Sequence, residues 1–311
     1  MLGLFVGLIT LDFVYLAASP PSNNQKIVAS DYSVAAGGPA TNAAVTFGYL
    51  GNQSTLLGIL GNHPITQLIK ADLVTYKVAI ADLAPSQTQP PPVSSIIVSQ
   101  DTGERAVVSI NAVKNQVPPD SIPQIPPTPL KKGGKNYIAT PATADDVEGK
   151  SHILQGVDIV LIDGHQMLVG EAIAQLAKAH NIPVVIDGGS WKPGFEKVLP
   201  FVDYAICSAN FRPPNCHSTA EVFNYLSQMV ISHIAITQGE KPIQFLTEGR
   251  IQTLEVPQIE AIDTLGAGDI FHGAFCHYIL QQNFSEALAA AAKVAAQACQ
   301  CFGSRQWMQK R

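Results

Sequence analysis

The stretch Asp263-Thr264-Leu265-Gly266-Ala267-Gly268-Asp269, hereafter the heptad 263–269, places two carboxylates and a Gly-x-Gly turn directly before a periodic helix. The periodicity comes from apolar residues at positions 271, 274, 275, 278 and 279, which form one face of a helix. The glycines therefore lie at a predicted helix N-terminus. Backbone N–H groups lack intrahelical partners there, and the positive end of the helix dipole points outward. We predict that Gly266, Ala267 and Gly268 form an anion-binding cradle.

A carboxylate next to such a cradle suits a site that holds and deprotonates a hydroxyl while a phosphoryl group arrives from the other side. Asp269 is the candidate base. An ordinary acidic residue in a first helical turn, after a plain tight turn, explains an isolated Gly-x-Gly-Asp equally well. Two other phosphate-binding motifs are excluded, because Phe271 stands where GxGxxG needs its last glycine and no GxxxxGK[ST] stretch occurs.

Two further motifs lie near the start of the chain. Gly37-Gly38-Pro39-Ala40-Thr41-Asn42 contains a glycine pair followed by an asparagine, and the run Gly7 to Asp12 reads as a first strand that ends in an aspartate. In this order, these motifs and the heptad 263–269 resemble the PfkB, or ribokinase-like, family of carbohydrate and nucleoside kinases over nearly the whole chain. Phe271-His272-Gly273 after the heptad is most similar to the ketohexokinase-like and sulfofructose-kinase-like branch.

The resemblance implies one ribokinase-like α/β domain over residues 1–311. Its expected architecture is three-layer α/β/α, with a mostly parallel central sheet and a small β-sheet lid whose strands lie within about 12–36 and 93–111. The implied activity is transfer of the γ-phosphoryl group of ATP, with Mg²⁺, to a sugar hydroxyl, with Asp269 as base. A nucleoside kinase of the same fold and a non-catalytic sugar-binding relative are the alternatives. Dimerisation through the lid is also implied.

Other site residues follow from the resemblance. The expected sugar-binding residues are Asp12, Gly37, Gly38, Asn42, Asn111 and His165. The expected nucleotide-binding residues are Asn210, Thr237, Gly239 and Asp187. An ordinary polar strand end or helix start is the alternative for each side chain.

The chain departs from the family pattern in three places, one of which is the acidic GDDxxG loop, altered here to Gly61-Asn62-His63-Pro64-Ile65. After Asn210 it reads Phe211-Arg212-Pro213, so the glutamate of the NxxE motif is missing, and Pro242 stands where the nucleotide loop has its second glycine. Asp187 is therefore the candidate to help hold hydrated Mg²⁺, although ATP phosphates are expected to supply most of its ligands. Direct metal ligands are unassigned, and a K⁺ site near Asp263 is left open.

The pattern of elements supports an α/β fold independently of the resemblance. Apolar, β-rich runs at 4–8, 159–162, 184–186, 204–207 and 234–237 alternate with helical stretches such as 170–180 and 220–232. This alternation predicts βαβ units and a parallel sheet. The runs 93–99 and 105–110, joined by a loop containing Asp-x-Gly, predict a hairpin that forms a second small sheet with 14–17 and 27–34. Six prolines in 117–130 predict an extended connector without helix or central strand.

Composition limits the function classes. The formal net charge is −5 and no basic run exceeds Lys131-Lys132, which argues against nucleic-acid binding. No window reaches about 18 uninterrupted apolar residues, which argues against a membrane span. The five cysteines are an odd number in a long chain and indicate reduced thiols in a cytoplasmic protein. We expect no nucleic-acid or membrane partner.

Overall fold

The computed structural model describes residues 1–111, 116–123, 149–247 and 249–309. The strands are β1 (Leu2–Val6), β2 (Thr10–Ala17), β3 (Asp31–Gly37), β4 (Gln53–Gly58), β5 (Val78–Asp82), β6 (Val93–Ser99), β7 (Arg105–Ser109), β8 (Ile159–Ile162), β9 (Val184–Gly188), β10 (Tyr204–Ser208), β11 (His233–Gln238), β12 (Lys241–Thr247) and β13 (Arg250–Leu254). The helices are α1 (Pro39–Tyr49), α2 (Thr66–Thr75), α3 (Met167–Ala179), α4 (Phe195–Val198), α5 (Thr219–Gln228), α6 (Ala267–Ile279), α7 (Phe284–Cys299) and α8 (Gly303–Gln306).

The large sheet of the described residues has the strand order β13-β12-β11-β10-β9-β8-β1-β4-β5. Pairing is parallel from β5 to β11 and antiparallel at β12 and β13. Phe5 packs into a core with α1, α6 and α7, whereas Leu4 and Val6 pack into a core with α3 and α5 on the other face. Burial on both faces explains why these strands read as continuous apolar runs. The predicted three-layer α/β/α fold with a mostly parallel sheet is confirmed.

The second sheet has the order β3-β2-β6-β7. The predicted hairpin is confirmed, because β6 and β7 pair in an antiparallel register from Ser94 opposite Ser109 to Val98 opposite Arg105. The predicted strand over 27–34 is wrong in its bounds, since β3 runs from Asp31 to Gly37. The residues directly before Asp31 are not buried against either sheet, and Val28, for example, is 86% exposed. These four strands are called the small sheet below.

The prediction that Asp12 ends the first strand is also wrong. Strand β1 ends at Val6, and Asp12 is the third residue of β2 in the small sheet. The chain turns at Gly7 beside the buried carboxylate of Asp163, whose Cγ lies 2.0 Å from where a Gly7 Cβ would be. A side chain at Gly7 would displace this carboxylate, so the glycine permits the change from one sheet to the other.

The proline-rich connector is described only in part. Pro119–Ser121 forms a short 3₁₀ helix, so the prediction that no helix occurs there is wrong for this turn. A proline at the start of a helical turn loses no hydrogen bond, because that N–H has no helical partner. The rest of the predicted connector and the lysines at 131–135 lie outside the described residues.

The cysteines and the helices bear on two expectations from composition. All five cysteines are buried and free, as expected for reduced thiols. Among the helices of the described residues, none combines the length and the apolar character that crossing a membrane requires.

Candidate active site

Helix α6 begins where the heptad 263–269 ends. Gly266 precedes the helix in the left-handed region, with φ of 71°, a conformation that glycine adopts without strain. No side chain in the described part of the chain caps this helix N-terminus. A Cβ built at Gly268 would meet no heavy atom within 4 Å, so the backbone borders open space. Asp269 is the third residue of the helix and lies next to this opening.

The packing of α1 against α6 joins the two ends of the chain. A Cβ on Gly273 would lie 2.3 Å from the Ala43 carbonyl oxygen, so the glycine lets the two helices approach closely. The contact places Asn42 beside Asp269, and Asn42 Nδ2 donates to Asp269 Oδ2 at 2.8 Å. Two of the predicted site residues, 227 positions apart, are therefore hydrogen-bonded.

Asp12 and the glycine pair also come together. A Cβ on Gly37 would lie 1.9 Å from Asp12 Oδ2, and Gly38 has φ of 100° with the Leu8 carbonyl oxygen 2.3 Å from its Cβ position. Both positions therefore require glycine. Asp12 Oδ1 accepts a hydrogen bond from Thr10 Oγ1 at 2.7 Å. Burial raises the pKa of Asp12, against the hydrogen bonds from Thr10 and Ser94.

Helix α1 is capped from a distance by Asp163. Its Oδ2 accepts the N–H groups of Leu8 (2.9 Å) and Ala40 (3.1 Å), and its Oδ1 accepts the N–H of His165 (2.8 Å). Burial alone would raise the pKa of Asp163, but the charge and hydrogen bond of His165 and the backbone N–H groups lower it to about 2. This ionised carboxylate stabilises the N-terminus of the helix that carries Asn42.

The two residues expected to select the sugar differ in setting. The His165 ring lies beside Asp163, with Nδ1 3.2 Å from Oδ1, and is mostly buried. Asn111 is exposed, adopts φ of 51° after β7, and donates its backbone N–H to Ser109 Oγ. Ser109 is opposite Ser94 in the small sheet, and Ser94 is opposite Asp12. Asn111 therefore lies two residues beyond the row of the sheet that contains Asp12.

Asp187 lies on the buried side of the cradle. Its Oδ2 is 3.5 Å from His272 Nδ1, and that nitrogen is 2.7 Å from the Gly268 carbonyl oxygen. The other ring nitrogen of His272 is 3.0 Å from the carbonyl oxygen of Ile206 in β10. His272 thus connects the start of α6 to the neighbouring strands.

Three of the residues expected to bind nucleotide lie at the ends of two adjacent strands. Asn210 is exposed after β10 and donates its N–H to Ser208 Oγ, while Thr237 Oγ1 donates to the Cys207 carbonyl oxygen at 3.4 Å. Gly239 adopts φ of 65° and a Cβ there would meet nothing within 4 Å. Pro242 falls where the β11–β12 pairing shifts register, a place in a sheet where a missing N–H is tolerated. The turn after Gly239 is thus a hairpin with a bulge.

The small sheet contacts the heptad 263–269 through its hairpin tip. Thr264 Oγ1 donates to the Gly103 carbonyl oxygen at 3.1 Å, and Arg105 Nη1 donates to Thr264 Oγ1 at 3.0 Å. Asp263 is buried and its two oxygens accept the N–H groups of Leu265 (2.8 Å) and Gly303 (2.7 Å). The first carboxylate of the heptad therefore fixes the backbone, while the second borders the opening.

Comparison with known proteins agrees with this arrangement. The model of the pfkB family of carbohydrate kinases matches residues 4–126 and 130–311. The chain belongs to this family. The kinase is 22% identical to the ribokinase of Bacillus subtilis, over 98% of this chain and 95% of that protein.

Solved structures share the fold of the kinase. A putative ribokinase from Agrobacterium tumefaciens superposes with a TM-score of 0.75 at 22% identity, covering 100% of this chain and 99% of that one. The ribokinase of Arabidopsis thaliana, solved with ribose and ATP, has a TM-score of 0.70 at 19% identity, covering 97% and 93%. The kinase is thus a phosphotransferase with a ribokinase-like fold. Its assignment to the ketohexokinase-like branch stays a prediction.

Several residues of this site were not foreseen from sequence. Arg105 comes two residues after the hairpin glycine, a cue that marks the turn but not the contact with Thr264. Arg305 follows the alanine-rich apolar helix α7. A charged residue among apolar neighbours is the only sequence cue that Arg305 is buried. Asp72 and His272 carry no local signal, because their partners are distant in sequence.

Asp269 has an unusual acidity for a carboxyl group. Burial first, and then the charge of Asp187, raise its pKa to about 7, although Asn42, His272 and Arg105 act to lower it. An acid with a raised pKa is protonated below that value, and a base must be ionised to act. With Asp269 as the predicted base, we expect kcat/KM, which reports the free enzyme, to fall about tenfold per pH unit below about pH 7.

A pH–rate profile tests this expectation, with Arg105→Gln as a second arm. Loss of the Arg105 charge removes one influence that lowers the pKa of Asp269, so the acid limb should move to higher pH. An acid limb near pH 4 in the unsubstituted kinase would contradict the raised pKa.

Proposed function

We propose that the protein is an ATP-dependent sugar kinase in which Asp269 orients and deprotonates a sugar hydroxyl. The observation that carries the proposal is the arrangement at the start of α6. Asp269 Oδ2 is held by Asn42, while Oδ1 has no protein hydrogen bond within the described residues. Open space borders Gly268 beside it. One carboxylate oxygen is thus available to a hydroxyl next to the backbone that is proposed to bind anions.

The sugar would bind between the two sheets. Asp12, Gly37, Gly38 and Asn42 are proposed to hold it, because a carboxylate, an amide and two side-chain-free positions converge there. Asn111 and His165 are proposed to select among sugars. The small sheet would cover the substrate and exclude water, which otherwise competes for the phosphoryl group.

ATP would extend from the cradle of Gly266, Ala267 and Gly268 over the ends of β10 and β11. The absence of any atom near the Cβ positions of Gly268 and Gly239 fits close approach of phosphates to the backbone. Asn210 and Thr237 are proposed to contact the nucleotide, and the buried face of α7 around Ala292 would border adenine. When bound, the nucleotide supplies the phosphoryl group, and the cradle stabilises charge on it.

Mg²⁺ fits this site as a hydrated ion held by phosphates. Within the described residues no group of three or more His, Cys, Asp or Glu is arranged to bind a metal ion directly. Asp187 is proposed to bind water molecules around it, because the carboxylate lies beside the cradle. At Asp263 each oxygen already accepts a backbone N–H. These two hydrogen bonds account for a structural role of Asp263, and we assign no step to K⁺.

Turnover tests the proposal. ADP release should be measured with MgATP and, in turn, D-ribose, D-fructose, D-tagatose, D-glucose and adenosine. A sugar that supports turnover well above the ATPase background is the expected result. Turnover with adenosine alone would favour the nucleoside kinase. No turnover with any acceptor, together with a sugar-dependent rise in unfolding temperature, would favour a non-catalytic relative, which the missing NxxE glutamate suggests.

We also propose a cytoplasmic homodimer that forms through the small sheet. Tyr32 and Val108 lie on one face of the small sheet and are 69% and 75% exposed, and Ile110, just beyond β7, is 62% exposed. An apolar surface of this kind is typical of an interface. The five free thiols suit a reducing compartment.

Light scattering after size-exclusion chromatography tests the dimer. The expected result is a dimer for the unsubstituted protein and a monomer for Tyr32→Glu/Val108→Glu. Val230→Glu is the matched control, because Val230 is 89% exposed after α5, outside the small sheet. A monomeric unsubstituted protein would contradict the proposal.

A further inference from the structure

Arg305 in α8 is a buried cation next to the candidate base. Arg305 is only 7% exposed, and its guanidinium donates four hydrogen bonds, one of them from Nη1 to the Ser304 carbonyl oxygen at 3.3 Å. Nη1 donates to Asn42 Oδ1 at 2.9 Å, Nη2 to the Ala36 carbonyl oxygen at 2.6 Å, and Nε to Asp72 Oδ2 at 3.3 Å. Burying such a charge is costly unless it is paired and hydrogen-bonded. Arg305 meets both conditions, so its guanidinium is held in one orientation.

The contact with Arg305 determines which way the Asn42 amide points. A guanidinium has donors and no acceptor, so the atom of Asn42 that faces it must be the carbonyl oxygen. The amide nitrogen then faces Asp269, where it donates to Oδ2 at 2.8 Å. Reversing the amide would set its NH₂ group against the guanidinium and its oxygen against a carboxylate oxygen. Both ends of Asn42 are therefore fixed in one orientation.

Arg305 itself is anchored on β3, the strand that leads into the glycine pair. Asp72 Oδ2 accepts the N–H of Ala36 at 3.0 Å as well as the Arg305 Nε bond. The peptide groups on both sides of Ala36 are thus held, one through its N–H and one through its carbonyl. Tyr76 lies with its ring centroid 5.5 Å from the guanidinium carbon, which adds a cation–π contact.

We propose that Arg305 is a positioning residue for phosphoryl transfer, which acts through Asn42 to hold Asp269 Oδ2 and leave Oδ1 free for the sugar hydroxyl. The proposal rests on the proposed role of Asp269. Arg305 touches no reacting atom. Its effect is on the geometry of the base, and a displacement of about 1 Å at a reacting group can lower the rate by about 100-fold.

The first test compares Arg305→Met, Arg305→Lys and Asp72→Asn, with MgATP and the best acceptor among D-ribose, D-fructose, D-tagatose and D-glucose. Asp72→Asn is the comparison variant, because it weakens one anchor of Arg305 and leaves the contact between Arg305 and Asn42 in place. We expect Arg305→Met to lower kcat by about 10- to 100-fold with KM for the sugar changed less, and Arg305→Lys to recover part of the loss. Asp72→Asn should lower kcat less than Arg305→Met does, because Arg305 keeps its bonds to Asn42 and to the Ala36 carbonyl oxygen. Equal kcat losses in Arg305→Met and Asp72→Asn would overturn the proposal.

The second test is a double-mutant cycle with Asn42→Ala, which isolates the coupling between two residues. If Arg305 acts through Asn42, Arg305→Met should lower kcat by less than about threefold when Asn42 is already alanine. A loss as large as in the unsubstituted background would overturn the proposal.

A measurement that needs no enzymatic activity tests this proposal independently of the proposed function. The Asp269 carboxyl carbon can be titrated by ¹³C NMR in the ligand-free protein, with Asp269→Asn to assign its resonance. Loss of the Asn42 hydrogen bond raises the pKa of Asp269, so its midpoint should move to higher pH in Arg305→Met and stay unmoved when Asn42 is already alanine. An unchanged midpoint in Arg305→Met would overturn the proposal, whether or not any sugar is phosphorylated.

Discussion

Replacing Asp269 with asparagine is expected to lower kcat by about 10²- to 10⁴-fold, the range that general-base catalysis contributes. The amide has nearly the same shape and can still accept the hydrogen bond from Asn42 through its oxygen. The fold should therefore persist. The measurement is ADP release with saturating MgATP and the preferred sugar. A kcat within about threefold of the unsubstituted kinase would refute Asp269 as base.

The same substitution should raise stability above neutral pH. A buried carboxyl with a raised pKa favours the folded state at low pH, and this contribution is lost as pH rises through about 7. Asparagine carries no such charge, so its variant should unfold at a higher temperature at pH 8, with a smaller difference at pH 6. Asp263→Asn is the matched control. Its amide oxygen can accept only one of the two N–H groups at that position, so the unfolding temperature should fall. The pH below which kcat/KM decreases should stay unchanged.

Gly268→Ala is expected to separate stability from activity. The Gly268 φ lies outside the left-handed region and the site of its Cβ is empty, so alanine should raise the free energy of unfolding by about 0.5–1 kcal/mol. The same methyl group would enter the space proposed for the transferring phosphoryl group. We expect kcat/KM to fall roughly 100-fold, comparable to loss of one donor that stabilises transition-state charge.

Gly273→Ala gives the opposite pattern and serves as the control. Its methyl group would lie 2.3 Å from the Ala43 carbonyl oxygen, which forces α1 and α6 apart and lowers the unfolding temperature. Chemical denaturation and steady-state kinetics on both variants measure the contrast. If Gly268→Ala keeps full activity, the cradle is not where the phosphoryl group binds.

Much of the fold could be predicted because its signals are local. Buried parallel strands such as Ile159–Ile162 are continuous apolar runs, and the hairpin from Val93 to Ser109 has its own turn chemistry. Predictions failed where distant contacts decide the outcome. Whether the chain at Gly7 continues its strand or leaves for another sheet depends on Asp163, which lies 156 residues later and has no signal near Gly7.

The site divides in the same way. The heptad 263–269 and the glycine pair were readable because phosphate binding and close approach require glycine in a short pattern. The hydrogen bonds that orient these groups could not be predicted from the sequence. Asn42 was expected to hold a sugar, and nothing in its neighbourhood indicates that its amide also reaches Asp269 on one side and Arg305 on the other.

The bond from Asn42 to Asp269 spans 227 residues, and the bond from Asn42 to Arg305 spans 263. Contacts of such long sequence separation form slowly, because most of the loop-closure entropy is lost before they contribute stability. A chain that emerges from the ribosome can build β1, α1 and the small sheet long before residue 305 exists. We therefore expect catalytic competence to be acquired in the last stage of folding, after most secondary structure is in place.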